Sequence, residues 1–135
     1  MILVDTSTMI DALRGRDNLK TRLFSEVLRR DIPFGISAFT YQELLQGAKD
    51  DAEFSKLDEY LSSQQIYILP ANVETFRKAA EIFYSLRRKG VTIHSTIDVL
   101  IALTAMEYKL SLLHNDRDFD IMARFLDSLM ILEQI

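Results

Sequence analysis

Ile2-Leu3-Val4-Asp5-Thr6-Ser7-Thr8 opens the chain with three apolar residues, one acid and three hydroxyls. The apolar run is too short to build the stripe of a helix. It stops at a carboxylate followed by residues suited to capping a helix, so it reads as a short buried strand handing over to a helix. The same order returns at Leu110-Ser111-Leu112-Leu113-His114, where Asn115-Asp116-Arg117-Asp118 precedes a helical pattern over 119–125. Phe34-Gly35-Ile36-Ser37 after Pro33 and Met130-Ile131-Leu132 are further short strands. Ile66-Tyr67-Ile68-Leu69 alternates too little for an exposed strand and reads as a buried one ending at Pro70.

Helical spacing fills the intervals. Residues 9–14 and 19–30 read as helices broken at Gly15, and 40–48 follows with Tyr41, Leu44, Leu45 and Ala48 on one side. Residues 52–61 repeat the pattern with Phe54, Leu57 and Leu61. A long helix over 73–89 puts Phe76, Ala79, Ala80, Phe83 and Leu86 on one face and stops at Gly90. Ser95 or Thr96 caps the next, which turns Ile97, Leu100, Ile101, Thr104, Ala105 and Tyr108 inward. Strands alternating with helices imply an α/β fold on a mainly parallel central sheet.

The bulk composition narrows the function classes. At 135 residues the chain has the size of one domain (1–135), and 48% hydrophobic with 27% charged residues is ordinary for a soluble globular protein. With no cysteine, disulfides, thiolate-bound zinc and a cysteine nucleophile are excluded. No apolar run approaches a membrane span and no secretory leader is evident, so a cytoplasmic location is expected. The net charge of −4 argues against nucleic-acid binding through overall charge. Five basic residues nevertheless stand between Arg77 and Lys89 against the single acid Glu81. That segment is either a solvated helix face or a local phosphate-binding patch.

In open parallel sheets ligands bind beyond the carboxyl ends of the strands, and the acids can be sorted by that rule. Asp5 ends the first strand, Asp116 and Asp118 follow the strand at 110–114, and Glu43 lies one turn into the helix after the second strand. Asp98 precedes its strand, but it sits in Ile97-Asp98-Val99-Leu100-Ile101-Ala102-Leu103, where a buried carboxylate costs several kcal/mol without a partner. Each has a plain alternative. Asp5 suits an N-cap, Asp98 a helix N-terminus, Glu43 an exposed helix face, and Asp116 and Asp118 a turn. Taken together, carboxylates from distant segments are what a hard cation such as Mg²⁺ or Mn²⁺ requires, and such ions serve phosphoryl displacement.

Four stretches carry a resemblance: Val4-Asp5-Thr6-Ser7; Tyr41-Gln42-Glu43-Leu44-Leu45-Gln46-Gly47; Thr96-Ile97-Asp98-Val99-Leu100-Ile101-Ala102; and Leu112-Leu113-His114-Asn115-Asp116-Arg117-Asp118-Phe119. In order, spacing and length they resemble the four blocks of PIN-domain ribonucleases of the VapC toxin type, over nearly the whole chain. The last block departs from the family at His114, where Thr is frequent. The resemblance implies a PIN-like three-layer sandwich with helices on both sides of the sheet. It implies an acidic quartet of Asp5, Glu43, Asp98 and Asp116, with Asp5, Asp98 and Asp116 as ligands of one or two Mg²⁺ or Mn²⁺ ions. Asp118 is the competing fourth acid, and Thr6, Ser7 and Asn115 would support the carboxylates or an attacking water. The implied reaction is hydrolysis of an RNA phosphodiester (tRNA, rRNA or mRNA), with Arg14, Arg16, Arg87, Arg88 and Lys89 as candidate strand contacts. The implied partners are a VapB-like antitoxin and a second copy of the chain, both on the apolar helices between Thr40 and Leu61.

Two other readings stand beside this one. A haloacid-dehalogenase-type phosphotransferase would need an acid two residues after Asp5, where the chain has Ser7. A non-catalytic PIN-like protein- or nucleic-acid-binding module would leave the acids structural. His94 and His114 lack metal-ligand spacing and are expected to be hydrogen-bonded structural residues.

Overall fold

The computed structural model describes residues 1–135. Its strands are β1 (Ile2–Val4), β2 (Phe34–Ser37), β3 (Gln65–Tyr67), β4 (Ser111–Leu113) and β5 (Met130–Ile131). They form one sheet in the order β3-β2-β1-β4-β5, with every pairing parallel. The helices are α1 (Thr6–Leu13), α2 (Leu19–Arg29), α3 (Ala38–Gln46), α4 (Asp51–Ser62), α5 (Val73–Arg88), α6 (Thr96–Glu107) and α7 (Arg117–Phe125).

The side-chain period of two splits the core into two layers. Ile2 and Val4 face one way and pack with Met9, Phe24, Val27 and Leu61 beneath α1–α4. Leu3 faces the other way, into a cluster with Leu86, Val99, Ala102, Phe119 and Met122 beneath α5–α7. Leu113 and Leu112 are divided the same way. Both faces of β1 and β4 are thus covered, which is why consecutive residues in each, Ile2–Val4 and Leu112–Leu113, are apolar. The expected three-layer sandwich is present.

The order of strands locates the functional edge. The chain moves outward from β1 through β2 to β3, then returns to place β4 on the other side of β1. At such a reversal the loops leaving β1 and β4 diverge and open a crevice at their carboxyl ends. Asp5 extends the ladder into that crevice, its N–H bonding the Leu113 carbonyl at 2.9 Å. Helix α6 is apolar on almost every side, with Val99 and Ile101–Ala105 buried, and it carries half-buried Asp98 in its first turn. Gly90, at φ +83°, ends α5 in the left-handed region that favours glycine and turns the chain toward α6.

Three sequence expectations are corrected. The strand at 66–69 lies at the sheet edge, covers only Gln65–Tyr67, and leaves Ile68 64% exposed. A run of apolar residues is the same whether its strand is central or marginal, so pairing order decides. On α5, Phe76 and Ala80 are exposed, and Thr75, Ala79, Phe83 and Leu86 form its inner side. Tyr108 ends α6 exposed rather than buried. Its ring packs on Tyr67 with centroids 5.0 Å apart, and its hydroxyl donates to the Ile68 carbonyl.

Candidate active site

Asp5 caps α1 and is 2% exposed. Its Oδ2 accepts from the Ser7 backbone N–H at 3.0 Å and from the Ser7 hydroxyl at 2.6 Å. The Ser7 oxygen in turn accepts the Asn115 N–H at 2.8 Å, tying the loop after β4 to the start of α1. The Oδ1 atom of Asp5 is buried with no hydrogen-bond partner. An uncompensated carboxylate oxygen of this kind is costly unless a proton or a cation meets it. Burial pushes the Asp5 carboxyl up to about 6, against the hydrogen bonds from Ser7 and Thr6, and the Glu43 charge adds to the rise.

Glu43 is reached through a chain of hydroxyls. The single hydroxyl proton of Thr6 goes to Glu43 Oε1 at 2.8 Å, because the carboxylate only accepts. Thr40 therefore donates to Thr6 across 3.0 Å, and Ser37, the N-cap of α3, donates to Thr40. The order Ser37, Thr40, Thr6, Glu43 orients every proton toward the acid.

Asp98 is half-buried in the first turn of α6. Burial, then the charges of Asp5, Asp116, Glu43 and Asp118, push its carboxyl up to about 7. The structure thus brings together the acids of four segments at the carboxyl edge of the sheet. Asp5, Asp98 and Asp116 each stand at a helix N-terminus, whose partial positive charge suits them.

In the last segment Asp116 and Asp118 divide their work. Asp116 caps α7, its Oδ1 accepting the Asp118 N–H at 3.0 Å. Asp118 is buried and turns its Oδ2 to the His94 N–H and Nδ1, at 3.2 and 3.0 Å. His114 is 1% exposed and uses both ring nitrogens. Nδ1 accepts the Asp116 N–H at 3.0 Å, which requires Nε2 to carry the proton shared with Asp120 at 3.1 Å. Burial holds the His114 pKa below its usual range.

The basic candidates are dispersed. Arg14 lines an open groove with Ile10, Leu44, Leu57, Tyr60 and Glu43, at the border of the acids. Arg16 is bound back to Asp11 at 2.9 Å. Arg87 and Arg88 lie over the Tyr84 ring, and Lys89 over Phe125, without an acid of the cluster as partner.

Three contributors went unread in the sequence: Ser37, Thr40 and Asp11, whereas His94 is hydrogen-bonded as expected. Asp11 is buried, accepts from Asn115, Arg16 and Asn18, and is held below the usual carboxylate range chiefly by Asn115. Its only sequence signal is an acid on the inward side of α1, six residues after Asp5.

The residues fit a hard divalent cation. The donors are carboxylate oxygens, one of them buried without a partner, and Asp98 is burdened by four like charges. No three acidic or imidazole groups are gathered tightly enough to hold one ion among themselves. A divalent ion here would take one or two of the carboxylates and fill the rest of its shell with water.

Comparison with known proteins agrees with this geometry. The PIN domain family model matches residues 2–125. The chain is 34% identical over 132 residues to Ribonuclease VapC11 of Mycobacterium tuberculosis and to VapC ribonuclease Mb1587 of Mycobacterium bovis, covering 92% of each chain. Among solved structures it is similar to VapBC2 from Rickettsia felis bound to a promoter DNA fragment, with a TM-score of 0.73, 24% identity and 98% of both chains covered. DNA-bound VapBC from Salmonella typhimurium gives a TM-score of 0.72 at 20% identity, again over 98% of both chains. By sequence and by fold, this chain belongs to the PIN-domain family, with the VapC ribonucleases as its relatives.

Proposed function

We propose that this protein is a metal-dependent endoribonuclease and the toxin of a VapBC-type toxin–antitoxin pair. The observation that carries the reading is the buried, partnerless Oδ1 of Asp5 among the acids that burden Asp98. Asp5, Asp98 and Asp116 would hold one or two Mg²⁺ or Mn²⁺ ions, with Glu43 completing the quartet. When bound, the ion would acidify water and neutralise charge developing on the phosphate.

The chain's own part is positioning. Ser7, itself held by Asn115, fixes the Asp5 carboxylate and leaves Oδ1 without a partner, so that it could hold a cation. The Ser37–Thr40–Thr6 hydroxyls hold Glu43 in the site, where its carboxylate would take a proton from an attacking water. Asp118 is occupied by His94, which favours Asp116 as the fourth acid. Arg14, beside Glu43, is the basic candidate best placed to hold the RNA strand, and the other four would act farther from the cleavage point.

Two exposed grooves could take the proposed partners, the second of them away from the helices between Thr40 and Leu61 where both partners were expected. The groove lined by Ile10, Leu44, Leu57 and Tyr60 runs to Glu43 and suits an antitoxin segment that ends near the acids. A second groove, between α5 and α6, suits another copy of the chain.

Purified protein incubated with total RNA and Mg²⁺ or Mn²⁺, beside Asp5→Asn and Asp98→Asn, tests the reading. Cleavage that needs the metal and vanishes in both variants is expected. Persistent inactivity across both metals, total tRNA and rRNA would instead favour a binding module with structural acids.

A further inference from the structure

The contacts of His114 go beyond a structural histidine filling the core. It is buried to 1%, its ring lies 5.1 Å from Phe119, and both nitrogens are used. One of them accepts the backbone N–H of Asp116 itself, and the other points to half-exposed Asp120. Asp116 meanwhile spends Oδ1 on capping α7, so with that oxygen fixed the direction of the other follows the placement of its backbone. That backbone is anchored at its N–H by His114 and at its carbonyl by the Phe119 N–H, at 3.1 Å, and the His114 contact is its one bond to a side chain.

We propose that His114 is a positioning residue that aims the Asp116 carboxylate by accepting its N–H, with Asp120 keeping the proton on Nε2. The inference rests on the reading of Asp116 as a metal-binding acid. What the site requires at position 114 is a side-chain acceptor reaching the N–H two residues on. An asparagine or threonine can supply this through an Asx- or ST-turn, and a leucine of similar bulk cannot. A histidine serving only as packing would obey the reverse order.

Two measurements test this. Long-range ¹⁵N–¹H spectra of the metal-free protein should show His114 protonated at Nε2, with a coupling across the hydrogen bond from the Asp116 amide nitrogen to Nδ1. Mn²⁺ titration by calorimetry should then rank the variants. H114N and H114T should stay within about threefold of wild type, and H114L should bind about 10- to 100-fold more weakly, the usual cost of losing an outer support of a metal ligand. An Nδ1-protonated ring, an absent coupling, or an H114L variant that binds like wild type would overturn the proposal alone. So would H114N and H114T binding as weakly as H114L. Failure of the wild-type chain to bind Mn²⁺ would overturn the metal reading of the acids, and this role of His114 with it. If H114L does not fold, the wild-type spectra and the two conservative variants still decide.

Discussion

Asp5 and Asp98 carry carboxyls raised to about 6 and about 7, against an ordinary value of 3.8. Between pH 4 and 7 the folded chain therefore binds more protons than the unfolded one, and stability falls as pH rises through that window. For fully buried Asp5 the loss is on the order of 3 kcal/mol by pH 8. Half-exposed Asp98 contributes less than its shift alone implies, because solvent screens it. Metal-free protein should melt lower at pH 8 than at pH 5, and Mn²⁺ should restore much of the difference by giving the charges a counterion. Asp98→Asn removes one repelled charge and should melt a few degrees above wild type at pH 8 without metal, while losing cleavage. A variant that melts below wild type there would mean that Asp98 is stabilised in the fold by partners other than a cation. By the same protons, metal affinity should drop as pH falls below about 7.

At the scale of elements, the candidate metal-binding acids double as structural ends. Asp5 starts α1 and Asp116 starts α7, so substitutions mix helix stability with chemistry. Asp5→Ser retains a capping oxygen and Asp5→Ala does not; both should lose cleavage, with the alanine variant less stable than the serine by about 1 kcal/mol in urea melts. Equal stabilities would show that the cap to Ser7 contributes nothing. This duality explains how far the sequence could be read. An acid at the end of a short apolar run announces the sheet's functional edge whether it serves as cap or ligand, so Asp5 and Asp116 were legible from topology. Asp98 was legible from its apolar neighbours. Asp11 and Thr40 were not, because the partners that tie them to the site, Asn115 and Thr6, lie 104 and 34 residues away. The marginal place of β3 was hidden for the same reason. Its pairing depends on Gly35, where an added Cβ would meet the Tyr67 ring at 2.5 Å and the Gln65 carbonyl at 2.7 Å. Gly35→Ala should cost roughly 1–3 kcal/mol as an overpacked contact and free the β3 edge, read as faster amide exchange at Ile66 and Tyr67.

For the whole molecule, the distribution of apolar and basic surface matters more than the net charge of −4. The side of α5 turned away from the core exposes Phe76 at 56% and Tyr84 at 51%, and with Leu100 of α6 they border one apolar groove. Arg87 lines the same groove, and Arg88 bonds the Tyr84 hydroxyl at 3.0 Å. Aromatic anchors beside arginine are favourable both for a protein interface and for stacked RNA, so the patch itself does not choose. Its largely apolar lining, with the aromatic residues Phe76, Phe83 and Tyr84, is the kind of surface a second copy of the chain would cover. Sedimentation should therefore find a dimer. A Phe76→Glu/Tyr84→Glu variant should become monomeric with its helical content intact, because neither residue belongs to the buried core. If wild type is already a monomer and Arg87→Ala/Arg88→Ala instead weakens RNA binding with a shallower salt dependence, the groove holds the strand rather than a second subunit.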